Sequence, residues 1–157
     1  MTKLPSIRKF WLLKTEGDVY PIEYLKRDKK TPWSGVRNYR ARNYMRDEMQ
    51  RGDLCLFYHS SSKEIGVFGI AKVASLPYPD PAQFDKRSDY FDPKSTKEKP
   101  IWILVDIAFV KKFKKPVLAA AMKSDPELSG MLLWSIPRLS IQPVAEAHFE
   151  HILTSSQ

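Results

Sequence analysis

Apolar residues along the chain fall into short runs, each closed by turn-forming residues. Phe10 to Thr15 reads as a first strand, an apolar run that ends on polar residues. Glu16 and Gly17 turn the chain. Asp18 stands as an N-cap and Pro21 in the first turn of a short helix whose buried edge is Ile22 and Leu25. The largely basic run from Lys26 to Lys30 suits the end of that helix. A second helix is predicted from its cap Asn38 to about Gln50. Ala41, Met45 and Met49 recur every four residues with Tyr44 beside them, while Tyr39, Arg42, Asn43 and Arg46 fall on a neighbouring, exposed face. Gly52 is the stop signal.

Leu54 to His59 and Ile65 to Leu76 read as the next two strands, with Gly66 and Gly69 marking a bulge or a close approach. Ile101 to Val110 is the clearest strand, with Ile101, Ile103, Val105, Ile107 and Phe109 on one apolar face and a polar, edge-like continuation through Lys115. Pro116 and Val117 lead into a short Ala-rich helix through Met122. Ser135 to Pro143 returns as a short strand, and Val144 to Leu153 closes the chain as a helix with Phe149, Ile152 and Leu153 inward. Residues 77–100 are Pro-rich and irregular. Loops of that length are usually functional or disordered, and the aromatics Tyr78, Phe84, Tyr90 and Phe91 favour an ordered flap. Mostly short strands with a few short helices predict an α+β fold, a small curved sheet or barrel. A chain of 157 residues without a repeat or linker is expected to be one domain with its core over about residues 10–153.

Composition narrows the partners. No apolar run is long enough to span a membrane. The N-terminal stretch is charged and only briefly apolar, unlike a secretory leader. The single cysteine, Cys55, excludes an internal disulfide framework and reads as an inert core residue. Together these features point to a cytoplasmic protein, or a nuclear one in a eukaryote. The net charge is +8, and six of those positive charges fall between residues 26 and 51. Such a stripe is either a solvated basic helix or the footprint of a phosphate-backbone binder.

The stretch from Thr31 to Asn43, TPWSGVRNYRARN, sets a Trp, Tyr, Arg and Asn residues around a Ser-Gly turn. Aromatic faces suit stacking on planar ligands, and Arg and Asn suit phosphates and base edges. Trp33 is read two ways, as a stacking wall or as a plug over a barrel end. Further polar groups gather at strand ends: Lys14, Thr15 and Glu16; Tyr58, His59 and Ser60; and Arg138, Ser140 and Gln142, which share a face if their strand alternates. Taken singly, each group is an ordinary strand end. His148 and His151 lack further ligands at a convincing spacing, so no metal is expected. His59 beside three serines is not a triad, which is a spatial arrangement. No Gly-rich phosphate loop follows the first strand, which argues against a dinucleotide fold.

Taken together and in this order, WLLKTE, TPWSGVRNYRARN, GDLCLFYHSS, FDPKST and RLSIQPV resemble the EVE domain family over about residues 10–153. That family lies in the PUA-like superfamily, with YTH and ASCH domains among its relatives. The resemblance implies a PUA-like curved β-barrel of about five to six strands flanked by short helices. It implies a nucleic-acid partner and a pocket for a modified base, above all methylated or hydroxymethylated cytosine in DNA, with a modified RNA base as the alternative. The pocket residues carried over are Trp11, Lys14, Thr15, Trp33, Val36, Arg37, Asn38, Tyr58, His59, Ser60, Ser140 and Gln142. Arg40, Arg42 and Arg46 would hold phosphates. No cofactor and no catalysis are implied. A small nucleotide-processing enzyme, using His59 or Glu16 as acid–base group, is the reading from another class. Where the family commonly has KTEP, this chain has Gly17 after Glu16, which relaxes the turn. Oligomeric state is left open.

Overall fold

The computed structural model describes residues 8–157; the stretch Met1 to Ile7, read above against a secretory leader, lies outside them. Eight strands form among the described residues: β1 (Phe10–Glu16), β2 (Lys30–Pro32), β3 (Leu54–Ser60), β4 (Gly66–Val73), β5 (Tyr78–Pro79), β6 (Ile103–Leu104), β7 (Asp106–Leu118) and β8 (Ile141–Val144). Six of them make one curled sheet in the order β2-β7-β4-β3-β1-β8, and β5 pairs with β6 as a separate ribbon. The β1–β3 pair is parallel and the other pairings are antiparallel. The helices are α1 (Ile22–Asp28), α2 (Tyr39–Asn43), α3 (Ala119–Lys123), α4 (Leu132–Ser135) and α5 (Glu146–Ser155). No helix among the described residues is long and apolar enough to cross a membrane.

The first four residues of β1 and the first five of β3 are apolar without interruption because both faces of the sheet are covered there. On one face Trp11, Leu13, Cys55, Phe57, Ala71 and Ile107 pack under Ile22, Leu25, Ala41 and Met45. On the other, Leu12, Leu56, Tyr58, Ile70 and Phe113 pack under Met122, Leu128, Phe149 and Ile152. Cys55 is fully buried, and burial pushes its thiol well above the ordinary range. The 77–100 region is ordered around the buried Gln83. Its amide donates to the Asp80 and Trp102 carbonyls at 2.8 and 2.7 Å, and its oxygen accepts from Ser95 Oγ at 2.7 Å and Trp102 N–H at 2.9 Å.

Several elements differ from the pattern reading. The second helix leaves the α form at Tyr44 and runs as a π turn over Tyr44–Glu48, with Met49 N–H donating to the Tyr44 carbonyl at 2.8 Å. Arg42 and Asn43 are half-buried rather than exposed. The Lys run after Val110 belongs to the body of β7, because Phe113 and Val117 point into the second core while the lysines stay in water. Pro116 and Val117 therefore lie in the strand, and α3 starts only at Ala119. The apolar run from Ile101 is divided between β6 and β7, and Trp102 and Leu104 are buried as well. The expected strand from Ser135 begins at Ile141, so Arg138 and Ser140 sit in a turn and do not share an alternating face with Gln142. Gln142 is buried and donates to the Ile136 and Leu139 carbonyls, closing that turn. Val144 ends β8 instead of starting the last helix. Asp18 does not cap α1; Pro21 occupies the N-cap and supplies no side-chain acceptor. His59 supplies it, Nε2 accepting from Ile22 N–H at 3.1 Å. Gly17 admits close packing rather than slack: a Cβ there would stand 2.8 Å from Ser62 Oγ.

Two histidines should tune stability with opposite signs. Burial lowers the His59 pKa below its ordinary value, so its contribution is complete above about pH 6.5 and is lost as pH falls through the lowered folded value. His151 meets Asp125 at 2.6 Å, which raises its pKa. Its contribution is complete below about pH 6.5 and is lost as pH rises through the raised value. Urea unfolding between about pH 5 and pH 8 should therefore show a shallower acid limb in His59→Gln and a shallower alkaline limb in His151→Ala. Variants that keep the parent profile would refute both assignments.

Candidate functional site

A cavity of about 500 Å³ opens beyond the C-terminal end of β1. Its floor comes from the last three residues of β1, Lys14, Thr15 and Glu16. The backbone fixes this end of the strand. Lys14 N–H donates to the Ser140 carbonyl at 2.9 Å, which draws the turn before β8 to the cavity. Thr15 Oγ1 donates to the Tyr20 carbonyl at 3.0 Å, which holds Tyr20 on the rim. Lys14 Nζ donates to the Pro137 carbonyl, and burial lowers its pKa.

The opposite wall is the loop from Trp33 to Arg37. Trp33 is half-buried: it lines the cavity and meets the core edge-on, its ring 5.7 Å from that of Phe57 at 75°. Its N–H donates to the Val105 carbonyl at 2.9 Å, anchoring the loop where β2 ends. Gly35 turns the chain at φ +85°, a left-handed conformation in which a Cβ would also lie 2.9 Å from the Tyr90 ring.

Tyr90 belongs to the Pro-rich flap and lines the cavity beside Gly35. The flap is pinned by Arg37 and Asp80. Arg37 donates to the Tyr90 carbonyl from Nε at 3.1 Å and Nη2 at 2.8 Å, and to Asp80 Oδ2 from Nη1 at 3.0 Å. The same Oδ2 accepts from Gly35 N–H at 2.9 Å, and Oδ1 accepts from Ala82 N–H at 2.9 Å. Asp80 is buried and each of its oxygens is partnered. Chemically, the cavity offers an aromatic wall, donors in Lys14 and Ser140, a carboxylate in Glu16 and apolar patches in Val19 and Val36. That inventory suits a flat, polar-edged ring.

The chain matches the EVE domain model over residues 9–155. It belongs to the EVE domain family. Human thymocyte nuclear protein 1 is 36% identical over 96% of this chain and 75% of its own length. A solved protein from Leishmania major is 46% identical, with a TM-score of 0.91 over 96% of this chain and 95% of that one. The structure of the human protein in complex with DNA containing 5-methylcytosine gives a TM-score of 0.88 at 36% identity, over 95% and 98% of the two chains. A YTH domain from Zygosaccharomyces rouxii shares the fold at 13% identity, with a TM-score of 0.56 over 99% of this chain and 91% of that one.

In this EVE domain the residues singled out from sequence divide into two groups. Lys14, Thr15, Trp33, Val36, Arg37 and Ser140 line the cavity. Trp11, Asn38, Tyr58, His59, Ser60 and Gln142 do not line it, and each has work elsewhere. Trp11 is buried and donates to Asp53 Oδ2 at 3.0 Å. Asn38 caps α2, its side chain accepting from Ala41 N–H at 2.9 Å. Tyr58 lies in the core of the other sheet face, and Ser60 Oγ donates to the Thr15 carbonyl at 3.2 Å. His59 stacks on Phe68 at 4.0 Å, and its Nε2 accepts from Ile22 N–H. The basic residues of α2 and of the π turn that follows it are partly engaged. Arg42 donates to the Ile101 carbonyl and to Asn43, and Arg46 pairs with Asp47 at 2.8 Å. Arg40 is exposed, with only its Nε placed, on Tyr44 Oη at 3.2 Å.

The sequence reading did not assign Tyr90, Asp80, Val19 or Tyr20 to this site. Tyr90 left a trace as one of the flap aromatics. Asp80 left none beyond its place between two prolines.

Proposed function

We propose that this EVE domain is a binding module that performs no chemistry and takes a modified base of a nucleic-acid strand into the cavity beside Trp33. Methylated or hydroxymethylated cytosine in DNA is the preferred ligand. The observation that carries the reading is the cavity itself, about 500 Å³ with Trp33 on one wall and convergent polar groups on the floor. Its volume falls within the roughly 300–1,000 Å³ of ordinary ligand sites. The relative solved with 5-methylcytosine DNA supports the choice of base. Lys14 and Ser140 stand as donors for the acceptor edge of cytosine. Glu16 is the acceptor for its exocyclic amine, and Val19 or Val36 is the apolar contact for the methyl group.

A base in a duplex hides its pairing edge, so the reader must flip it out or take it from a single strand, at about a few kcal/mol. Stacking on Trp33 returns about 1–3 kcal/mol. The test is a binding panel of plain, 5-methyl and 5-hydroxymethyl cytosine oligonucleotides, as DNA and as RNA. Modified DNA should bind tightest. Equal affinity across the panel would sink the reading, and a preference confined to RNA would reassign the strand.

Arg40 is the best placed of the three arginines to hold a flanking phosphate, since Arg42 and Arg46 already have partners. Arg40→Ala should weaken all oligonucleotides alike and flatten the salt slope by about 0.7–0.9 for the one lost contact. A changed base preference with an unchanged slope would place Arg40 at the base instead.

A further inference from the structure

A ladder of flat groups runs from the cavity wall to the surface. Tyr90 lines the cavity, and the Arg37 guanidinium lies over its ring at 5.3 Å. The same guanidinium lies 5.3 Å from the ring of Trp102, which is buried. The Tyr39 ring follows, 4.9 Å from Trp102 and tilted by 30°. The Arg42 guanidinium lies beside this pair, 4.9 Å from the Tyr39 ring and 5.9 Å from that of Trp102. The last rung is open: Tyr39 is 58% exposed. Buried neighbours hold this ring in place while most of it stays in water. Arg42 is itself fixed by the Ile101 carbonyl and by Asn43.

Resting on the base-reading function above, we propose that Tyr39 is a second stacking subsite, which receives a nucleobase flanking the one held in the cavity. Three observations argue for this occupant. The ladder joins Tyr39 to the cavity wall through the buried Trp102, so the exposed ring is held in a fixed position relative to the cavity. Tyr39 does not line the cavity, so its ring serves a neighbour rather than the pocketed base. Arg40 and Arg42 stand beside it, and their charge complements a phosphate backbone. An exposed ring braced by guanidinium is the arrangement that binds successive bases of a single strand without reading their sequence. The subsite therefore adds affinity for a strand and leaves the choice of base to the cavity.

The experiment is a coupled cycle on single-stranded DNA carrying one central 5-methylcytosine, with an abasic residue placed in turn at each flanking position. Binding to the wild-type protein should fall about tenfold at one flanking position and little at the others. Tyr39→Ala should lose a similar factor on the intact strand, lose nothing further at that position, and keep the preference for the modified base. Tyr39→Phe should bind as wild type, which shows that the ring and not the hydroxyl acts. Equal melting temperatures of wild type and Tyr39→Ala establish that the fold is intact. Equal sensitivity of both proteins to every abasic position, with the modified-base preference intact, would overturn the subsite alone. Absence of that preference in the wild-type protein would overturn the reading on which it rests.

Discussion

Replacing Asp80 by alanine should cost about 3 kcal/mol of folding stability and loosen the cavity as well, the largest effect expected of any single change at this site. The physical reason is the number of groups that converge on one buried carboxylate. Oδ2 takes the Gly35 N–H and the Arg37 guanidinium, while Oδ1 takes the Ala82 N–H. Alanine leaves two amides without acceptors and the Arg37 guanidinium without its counter-charge. Breaking a buried ion pair from one side costs roughly 3–5 kcal/mol. Arg37 keeps 21% of its side chain exposed, so water repays part of that loss and the lower end applies. The consequence for function follows from what Arg37 does next: it holds the Tyr90 carbonyl, and through it the flap. Thermal unfolding and amide exchange across residues 88–92 should both register the change. Asp80→Asn should fall between, since it keeps an acceptor for one amide and loses the charge that faces Arg37. An Asp80→Ala protein that melts as the parent does, with its flap amides equally protected, would show that the carboxylate does not organise the site.

The fold and the site were legible to different depths, and the difference has a physical origin. The runs Phe10 to Leu13 of β1 and Leu54 to Tyr58 of β3 announce themselves because the sheet is covered on both faces there, so each of those positions is apolar. The strand β2 is three residues, Lys30 to Pro32, with no apolar run, and it exists only because β7 pairs with it. The stripe Ala41, Met45, Met49 located the second helix, but a spacing of four is ordinary for an α-helix and carried no sign of the π turn. Asn38 was legible twice, as cap and as pocket candidate, and the geometry puts its side chain in the cap. At the site, the Trp33 loop stands out because turn chemistry and flat side chains coincide within a few residues. Asp80 and Tyr90 meet that loop across separations of 45 and 53 residues in hydrogen bonds with Gly35 and Arg37. No local pattern encodes such contacts; they follow from the curl of the sheet and from Gln83, which folds the Pro-rich segment back on itself.

Trp33→Ala should lower both binding and stability, and Trp33→Leu should separate the two. The indole is neither a free wall nor a pure plug. One part of it faces the cavity, and another meets Phe57 edge-on at 5.7 Å. A fully buried aromatic cut to alanine costs about 3–5 kcal/mol; a half-buried one should cost about 2 kcal/mol. Loss of the π-face should take a further 1–3 kcal/mol or so from binding, roughly a five- to hundredfold weaker Kd. Leucine restores apolar contact with Phe57 and offers no plane on which a base can stack. Trp33→Leu should therefore recover most of the melting temperature and little of the affinity, while Trp33→Phe should recover part of each. The two quantities must be read on the same preparations, by thermal unfolding and by titration with a 5-methylcytosine oligonucleotide. Normal affinity in Trp33→Leu would remove stacking from the mechanism and leave Trp33 as the lid of the core, with base recognition resting on the polar floor alone.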